Sequence, residues 1–235
     1  MSKIRLDKLI SNQLLISRSL VRTGIYRGKA TVNGDIVRDP SAQVDTEWSV
    51  SYDGMSVNFK EHIYILLYKP RGVICATEDK SQKTVLTLLP ENIRRSDLAP
   101  VGRLDKDTTG LLLITDDGAF AHECISPKKN ISKTYIATLD GEVTSEMTEI
   151  FAKGVTLADG TVCRPAELER IESNVARVVI TEGKYHQIKR MFGVVGLGVN
   201  SLHREAIGNL RLPHNMCEGE WIEMTKYALE SQIYR

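Results

Sequence analysis

The stretch GRLDKDTTGLLLITDDG, residues 102–118, sets a polar loop directly in front of an apolar run. Gly102 and Gly110 bracket a tight loop holding Arg103, Asp105, Asp107 and two threonines, and LLLIT then reads as a buried strand. A carboxylate on a loop that feeds into a core strand is held rigidly, as a catalytic group must be. Asp105, Asp107, Thr109, Gly110 and Asp116 also fall at positions one, three, five, six and twelve of a calcium-binding helix–loop–helix. Position twelve there wants a bidentate glutamate and the loop sits between helices. Leu111 to Ile114 read as strand, so the calcium reading is set aside.

Strands surround this stretch. HIYILLYKP (62–70) is an apolar strand ending at a proline, and VARVVITEG (175–183) is another. TSEMTEIFAKGV (144–155) reads as a helix capped by Thr144 and stopped at Gly154. Strands and helices without a regular βαβ repeat predict an α+β domain with a mixed, mainly antiparallel sheet and flanking helices. No GxGxxG follows a strand, no GxxxxGK[ST] occurs, and GVVGLG (193–198) fits neither, so no nucleotide cofactor is expected. Cys75, Cys124, Cys163 and Cys217 share no CxxC spacing, and the histidines complete no zinc pattern with them. They read as buried reduced thiols, and no metal is expected.

The 235 residues carry 31 basic and 30 acidic side chains, a net charge of +1, so any nucleic-acid face must come from local asymmetry. That asymmetry lies at the start: residues 1–38 hold eight bases against two acids. Ile4, Leu6, Leu9 and Ile10 predict a short helix. Ser17 then caps a second, with Leu20, Val21 and Ile25 facing inward and Gly28 ending it. KATVNGDIV reads as a hairpin turning at Asn33-Gly34, and Trp48, Val50 and Tyr52 alternate as a further strand. No apolar run is long enough to span a membrane, and MSKIRLDKLISNQ lacks the features of a secretory signal, so the chain is expected in the cytoplasm.

Two helices and a small sheet with clustered bases resemble the alpha-L RNA-binding module of the ribosomal protein S-four type. The implied phosphate contacts are Arg5, Arg18, Arg22, Arg27 and Lys29. The expected domains are 1–60 for this module and 61–235 for the larger one. GRLD followed by T-x-GLLL-x-T-x-DG resembles the signature of the pseudouridine synthases, in the branch acting on small-subunit ribosomal RNA. YKPRG (68–72), SKTY (132–135), EGKYHQIKRM (182–191) and LHREAIG (202–208) resemble the other segments of that family, in the same order.

The resemblance implies isomerisation of a uridine in small-subunit (16S) ribosomal RNA. The N-glycosidic bond breaks, the base turns and it rejoins through carbon, a reaction that calls for no redox cofactor and no metal. It implies Asp105 as the catalytic carboxylate, Tyr135 as the aromatic under the uracil, and Lys189 as the cation beside Asp105, where much of the family has arginine. Arg103, Leu202, His186 and Arg190 are the implied substrate contacts. The expected partner is small-subunit ribosomal RNA or a small-subunit assembly intermediate, met by a monomer and without a membrane. Two rivals are a synthase acting on large-subunit RNA and a non-catalytic RNA-binding assembly factor. The HQIKR lysine and the ending ESQIYR, with no long basic tail, disfavour the first. The intact GRLD, KTY and HQIKR segments disfavour the second.

Overall fold

Contacts divide the chain into two units, Met1–His62 with Leu89–Ser96, and Ile63–Leu88 with Asp97–Arg235. The computed structural model describes residues 3–95 and 97–234. The border read from the sequence lay between residues 60 and 61. The observed one follows His62, and residues 89–96 return to the first unit. Arg95 accounts for the return: its guanidinium donates to the carbonyls of Lys60 and Glu61 and to Gln13 Oε1.

In the first unit, β1 (Lys3–Arg5) leads into α1 (Leu6–Leu14) and α2 (Arg18–Tyr26). β2 (Ala30–Val32), β3 (Asp35–Val37), β4 (Gln43–Asp45), β5 (Val50–Tyr52) and β6 (Met55–Ser56) follow. Ile4 extends as strand opposite Val44 rather than starting the helix. Leu6, Leu9 and Ile10 of α1 meet Val21 and Ile25 of α2 over Ala30, Val32, Val50 and Tyr52. Leu20, expected to face inward, is 64% exposed. The buried stripe of α2 is Val21, Gly24 and Ile25, and Leu20 falls just outside it. Trp48, expected in a strand, precedes β5 and is half-exposed. The hairpin turns at Asn33 (φ 52°) and Gly34 (φ 93°), both left-handed as a tight two-residue turn requires.

Asp7, on the first turn of α1, is fully buried. Arg5 Nη2 reaches it at 3.0 Å and Arg18 Nη2 at 2.9 Å. Burial pushes its carboxyl up, but hydrogen bonds from Arg5 and then Arg18 outweigh this and hold it down at about 2. A folded pKa below the unfolded value gives stability that is present above pH about 4 and lost as pH falls through 2, roughly 2 kcal/mol in all. In denaturant melts of the first unit, the loss between pH 5 and pH 2 should be smaller by about this amount in Asp7→Asn than in the unsubstituted chain. Equal losses would show that the pair contributes nothing.

In the second unit the strands are β7 (Tyr64–Lys69), β8 (Ala99–Pro100), β9 (Thr109–Thr115), β10 (Lys133–Leu139), β11 (Glu167–Glu172), β12 (Val175–Ile180), β13 (Val199–Ile207), β14 (Leu210–Arg211) and β15 (Trp221–Met224). The helices are α3 (Gly118–Ile125), α4 (Ser145–Lys153), α5 (Gln187–Val194) and α6 (Lys226–Ile233). Among the described residues the strands form one nine-stranded sheet, ordered β11-β12-β10-β13-β9-β7-β15, with β14 on β13 and β8 on β9. The sheet is mixed and mainly antiparallel, as expected; β13 and β9 run parallel. β7 and β9 are apolar on both faces because both are covered. On one face, Phe120 and Cys124 of α3 and Leu229 and Ile233 of α6 pack on Tyr64, Leu66, Leu111 and Leu113. Burying each such aliphatic side chain contributes about 1.5–3 kcal/mol. Thr144 and Gly154 bound α4 as expected, with Thr144 Oγ1 accepting from the Met147 amide. Among the described residues, no helix is long and apolar enough to cross a membrane.

The parallel join is tight. Gly110 pairs with Arg204, and a Cβ on Gly110 would lie 2.3 Å from the Arg204 carbonyl oxygen and 2.6 Å from its nitrogen. With φ at +111°, Gly110 also occupies a region that side chains rarely enter. This crossing brings the Asp105 loop and the Leu202 strand together.

Candidate active site

The loop ahead of β9 is held from beneath. Lys69, at the end of β7, is completely buried, and its ammonium donates to the carbonyls of Thr108 (2.7 Å), Pro70 (3.1 Å) and Lys106 (3.4 Å). Burial pushes the Lys69 amine down from its ordinary range. The Gly72 amide donates to the Lys106 carbonyl at 2.8 Å, and the Leu104 amide to Cys75 Sγ at 3.2 Å. Three carbonyls on one ammonium and two amide bonds fix the backbone on both sides of Asp105.

Asp105 lines a cavity of about 80 Å³ together with Arg103, Leu104, Tyr135, His186, Lys189 and Leu202. Lys189 Nζ lies 3.2 Å from Asp105 Oδ2, and His186 Nε2 lies 3.3 Å from Oδ1. A basic group therefore faces each carboxylate oxygen. The same ammonium sits 2.6 and 2.9 Å from the two oxygens of Asp107. Burial works against the Lys189 charge, yet hydrogen bonds to Asp107 and Asp105 hold its pKa above the ordinary value. Lys189 in turn holds the Asp107 carboxyl below the usual range. Lys189 enters from the first turn of α5, and His186, at φ 48°, precedes that helix.

Tyr135, on β10 between β12 and β13, is 7% exposed and lines the cavity, as does Leu202 on β13. Asp105, Tyr135, Lys189, Arg103, His186 and Leu202 thus come together. Arg190 does not: its guanidinium is ion-paired with Asp159 and donates to the Tyr185 carbonyl, and it is absent from the lining. One residue past Lys189 on a helix turns the side chain about 100° away. Sequence reasoning missed Asp107 as the second anion on Lys189, and Lys69 as the clasp. The available signal for Lys69 was a lysine inside a strand that is otherwise apolar. It also missed the brace under α5, where buried Gln187 donates to Glu182 Oε1 at 2.7 Å and accepts from the Lys184 amide at 2.9 Å.

On the first unit, the five bases expected to meet phosphate divide into two groups. Arg5 and Arg18 are paired with Asp7, and Lys29 Nζ lies 2.7 Å from Asp53 Oδ2. Arg22 and Arg27 are exposed, and no acidic partner of either is found among the described residues.

Residues 63–193 match the family described as RNA pseudouridylate synthase. The chain belongs to that family. Residues 4–47 match the S4 domain. Ribosomal small subunit pseudouridine synthase A of Escherichia coli K12 is 41% identical over 233 residues, covering 98% of this chain and 100% of that protein. The protein of the same name in Yersinia pestis is 39% identical, covering 97% of each. An uncharacterized RNA pseudouridine synthase of Bacillus subtilis is also 39% identical, over 96% of this chain and 97% of that one. A crystal structure titled pseudouridylate synthase superposes with a TM-score of 0.69 at 34% identity, covering 98% of this chain and 100% of that one. In this RNA pseudouridylate synthase, the α+β fold and the S4 module read from the sequence both hold.

Proposed function

We propose that the chain isomerises one uridine to pseudouridine in small-subunit ribosomal RNA. The observation that carries this reading is Asp105, fixed on a clasped loop with Lys189 and His186 on its two oxygens, inside a cavity walled by Tyr135 and Leu202. Full-length similarity to synthases named for the small subunit supports the choice of RNA. The target must leave its stack to reach such a cavity. Asp105 meets the sugar where positive charge develops as the N-glycosidic bond breaks, and the Lys189 ammonium and the His186 ring hold its two oxygens in place beforehand. Tyr135 lies against the uracil ring, and its hydroxyl relays the proton lost from the ring carbon when the base rejoins through that carbon. Leu202 closes the pocket as an apolar wall, and Arg103 grips the RNA. The reaction is balanced within the nucleotide: one carbon–nitrogen bond becomes one carbon–carbon bond, and the displaced hydrogen returns to nitrogen.

The first unit docks the RNA and the second carries out the chemistry, in a monomer that meets ribosomal RNA or an assembly intermediate in the cytoplasm. Incubating the protein with unmodified small- and large-subunit ribosomal RNA transcripts and mapping pseudouridines tests the proposal. One new site in the small-subunit RNA is expected. A site only in the large-subunit RNA transfers the target, and binding without product reduces the chain to an assembly factor. Arg22→Ala and Arg27→Ala should each lower the logarithmic salt slope of RNA binding by about 0.7–0.9. Arg18→Ala should change it less, since that guanidinium is already paired with Asp7. An unchanged slope in both single variants moves the RNA face elsewhere.

A further inference from the structure

We propose that the outward face of Tyr185 is a nucleobase subsite, stacking the base next to the uridine that enters the Asp105 pocket. This deepens the reading of that pocket and rests on it. Tyr185 is 72% exposed, yet one face of its ring is covered: it stacks on His186 with centroids 3.8 Å apart and planes 19° from parallel. The covered imidazole is the one that faces Asp105 Oδ1. The tyrosine is therefore the outer layer of a stack whose inner layer touches the carboxylate.

The loop carrying it is tied down at several points. The Lys184 amide donates to Gln187 Oε1 (2.9 Å) and Lys184 Nζ to the Val162 carbonyl (2.6 Å). Buried Glu182 accepts from the Arg164 amide at 3.0 Å and from Gln187 at 2.7 Å. An exposed ring on a fixed loop is pre-organised to bind, because ordering it on contact costs little further entropy.

The chemistry around it selects the ligand. The cavity that His186 lines also holds Arg103, Lys184 and Lys189; Lys184 is paired with Glu182 and Lys189 with Asp105 and Asp107, and among the described residues no acidic partner of Arg103 is found. One open guanidinium near the cavity and an exposed flat ring suit a nucleic-acid base and its phosphate rather than a broad apolar protein surface. Extruding the uridine strips its neighbour in the RNA of a stacking partner, and an aromatic face at the pocket mouth replaces that partner.

The test uses the whole chain and an unmodified 16S ribosomal RNA transcript, in which the modified uridine is mapped. A short transcript around that uridine is then made in versions lacking the base at each neighbouring position in turn. Affinity and single-turnover rate are measured for the unsubstituted chain, Tyr185→Ala, Tyr185→Phe and Tyr185→Trp. Tyr185→Ala should bind the intact transcript about 5- to 150-fold more weakly, the range for losing one base stack, while Phe and Trp retain binding. At one neighbouring position, removing the base should weaken the unsubstituted chain by a similar factor and Tyr185→Ala no further. Affinity within about twofold for Tyr185→Ala overturns the inference. So do losses that multiply at every position, because the ring would then act only by holding His186. An unsubstituted chain that makes no pseudouridine in either small- or large-subunit ribosomal RNA removes the reading of the pocket and this inference with it. An active chain indifferent to Tyr185 removes the inference alone.

Discussion

Asp105→Asn should bind RNA as the unsubstituted chain does and form no pseudouridine. The substitution keeps the shape of the side chain and removes its charge, so the step that needs an anion at the sugar loses its agent. Removing a group that acts directly in bond making costs enzymes on the order of 10⁴-fold or more in turnover. Folding should survive, because Lys189 is not left bare: Asp107 still holds its ammonium at 2.6 and 2.9 Å. The backbone is held by Lys69 and by the Gly72 and Leu104 amides, none of which bonds to the Asp105 carboxylate. Single-turnover pseudouridine formation, read beside RNA affinity, checks this. Turnover within about tenfold of the unsubstituted chain would assign the chemistry to another residue.

Gly110→Ala should cost about 3 kcal/mol or more and take activity with it. The added carbon would overlap the Arg204 backbone, and backbone has no rotamer by which to retreat. Gly72→Ala is the matched control. Gly72 also has positive φ (+86°) but nothing within 4 Å of a Cβ, so it should lose only about 1–2 kcal/mol of conformational strain. Urea denaturation of the two variants separates the effects. Equal losses would mean that the parallel crossing is looser than it stands here.

What the sequence disclosed was mostly local. Gly102, Gly110 and the LLLIT run marked the Asp105 loop because turn and strand each leave a signature within a few residues. Asn33-Gly34 disclosed its hairpin in the same way. Asp105, Tyr135 and Lys189 stood out only through resemblance, since a lone tyrosine on a strand or a lysine at a helix start has no intrinsic chemical mark. Contacts over long separations left no pattern: the Lys69 ammonium meets carbonyls 37 and 39 residues away, and Asp107 meets Lys189 across 82. Charge misled where ion pairs intervened. Arg190 looked like a neighbour of the site but is spent on Asp159, and Arg5 and Arg18 hold Asp7. The inward assignment of Leu20 failed because the buried stripe of α2 starts one position later, at Val21, and runs through Gly24 and Ile25.

The join between β9 and β13 also dictates timing. Thr109 and His203, hydrogen-bonded at 2.9 Å, are 94 residues apart. A nascent polypeptide has Asp105 in hand long before it owns the strand that Gly110 presses against or the helix that bears Lys189. Closing so large a loop is a late and slow event. Translation thus yields no half-built version with a finished hollow, and competence arrives only once β13 has been made.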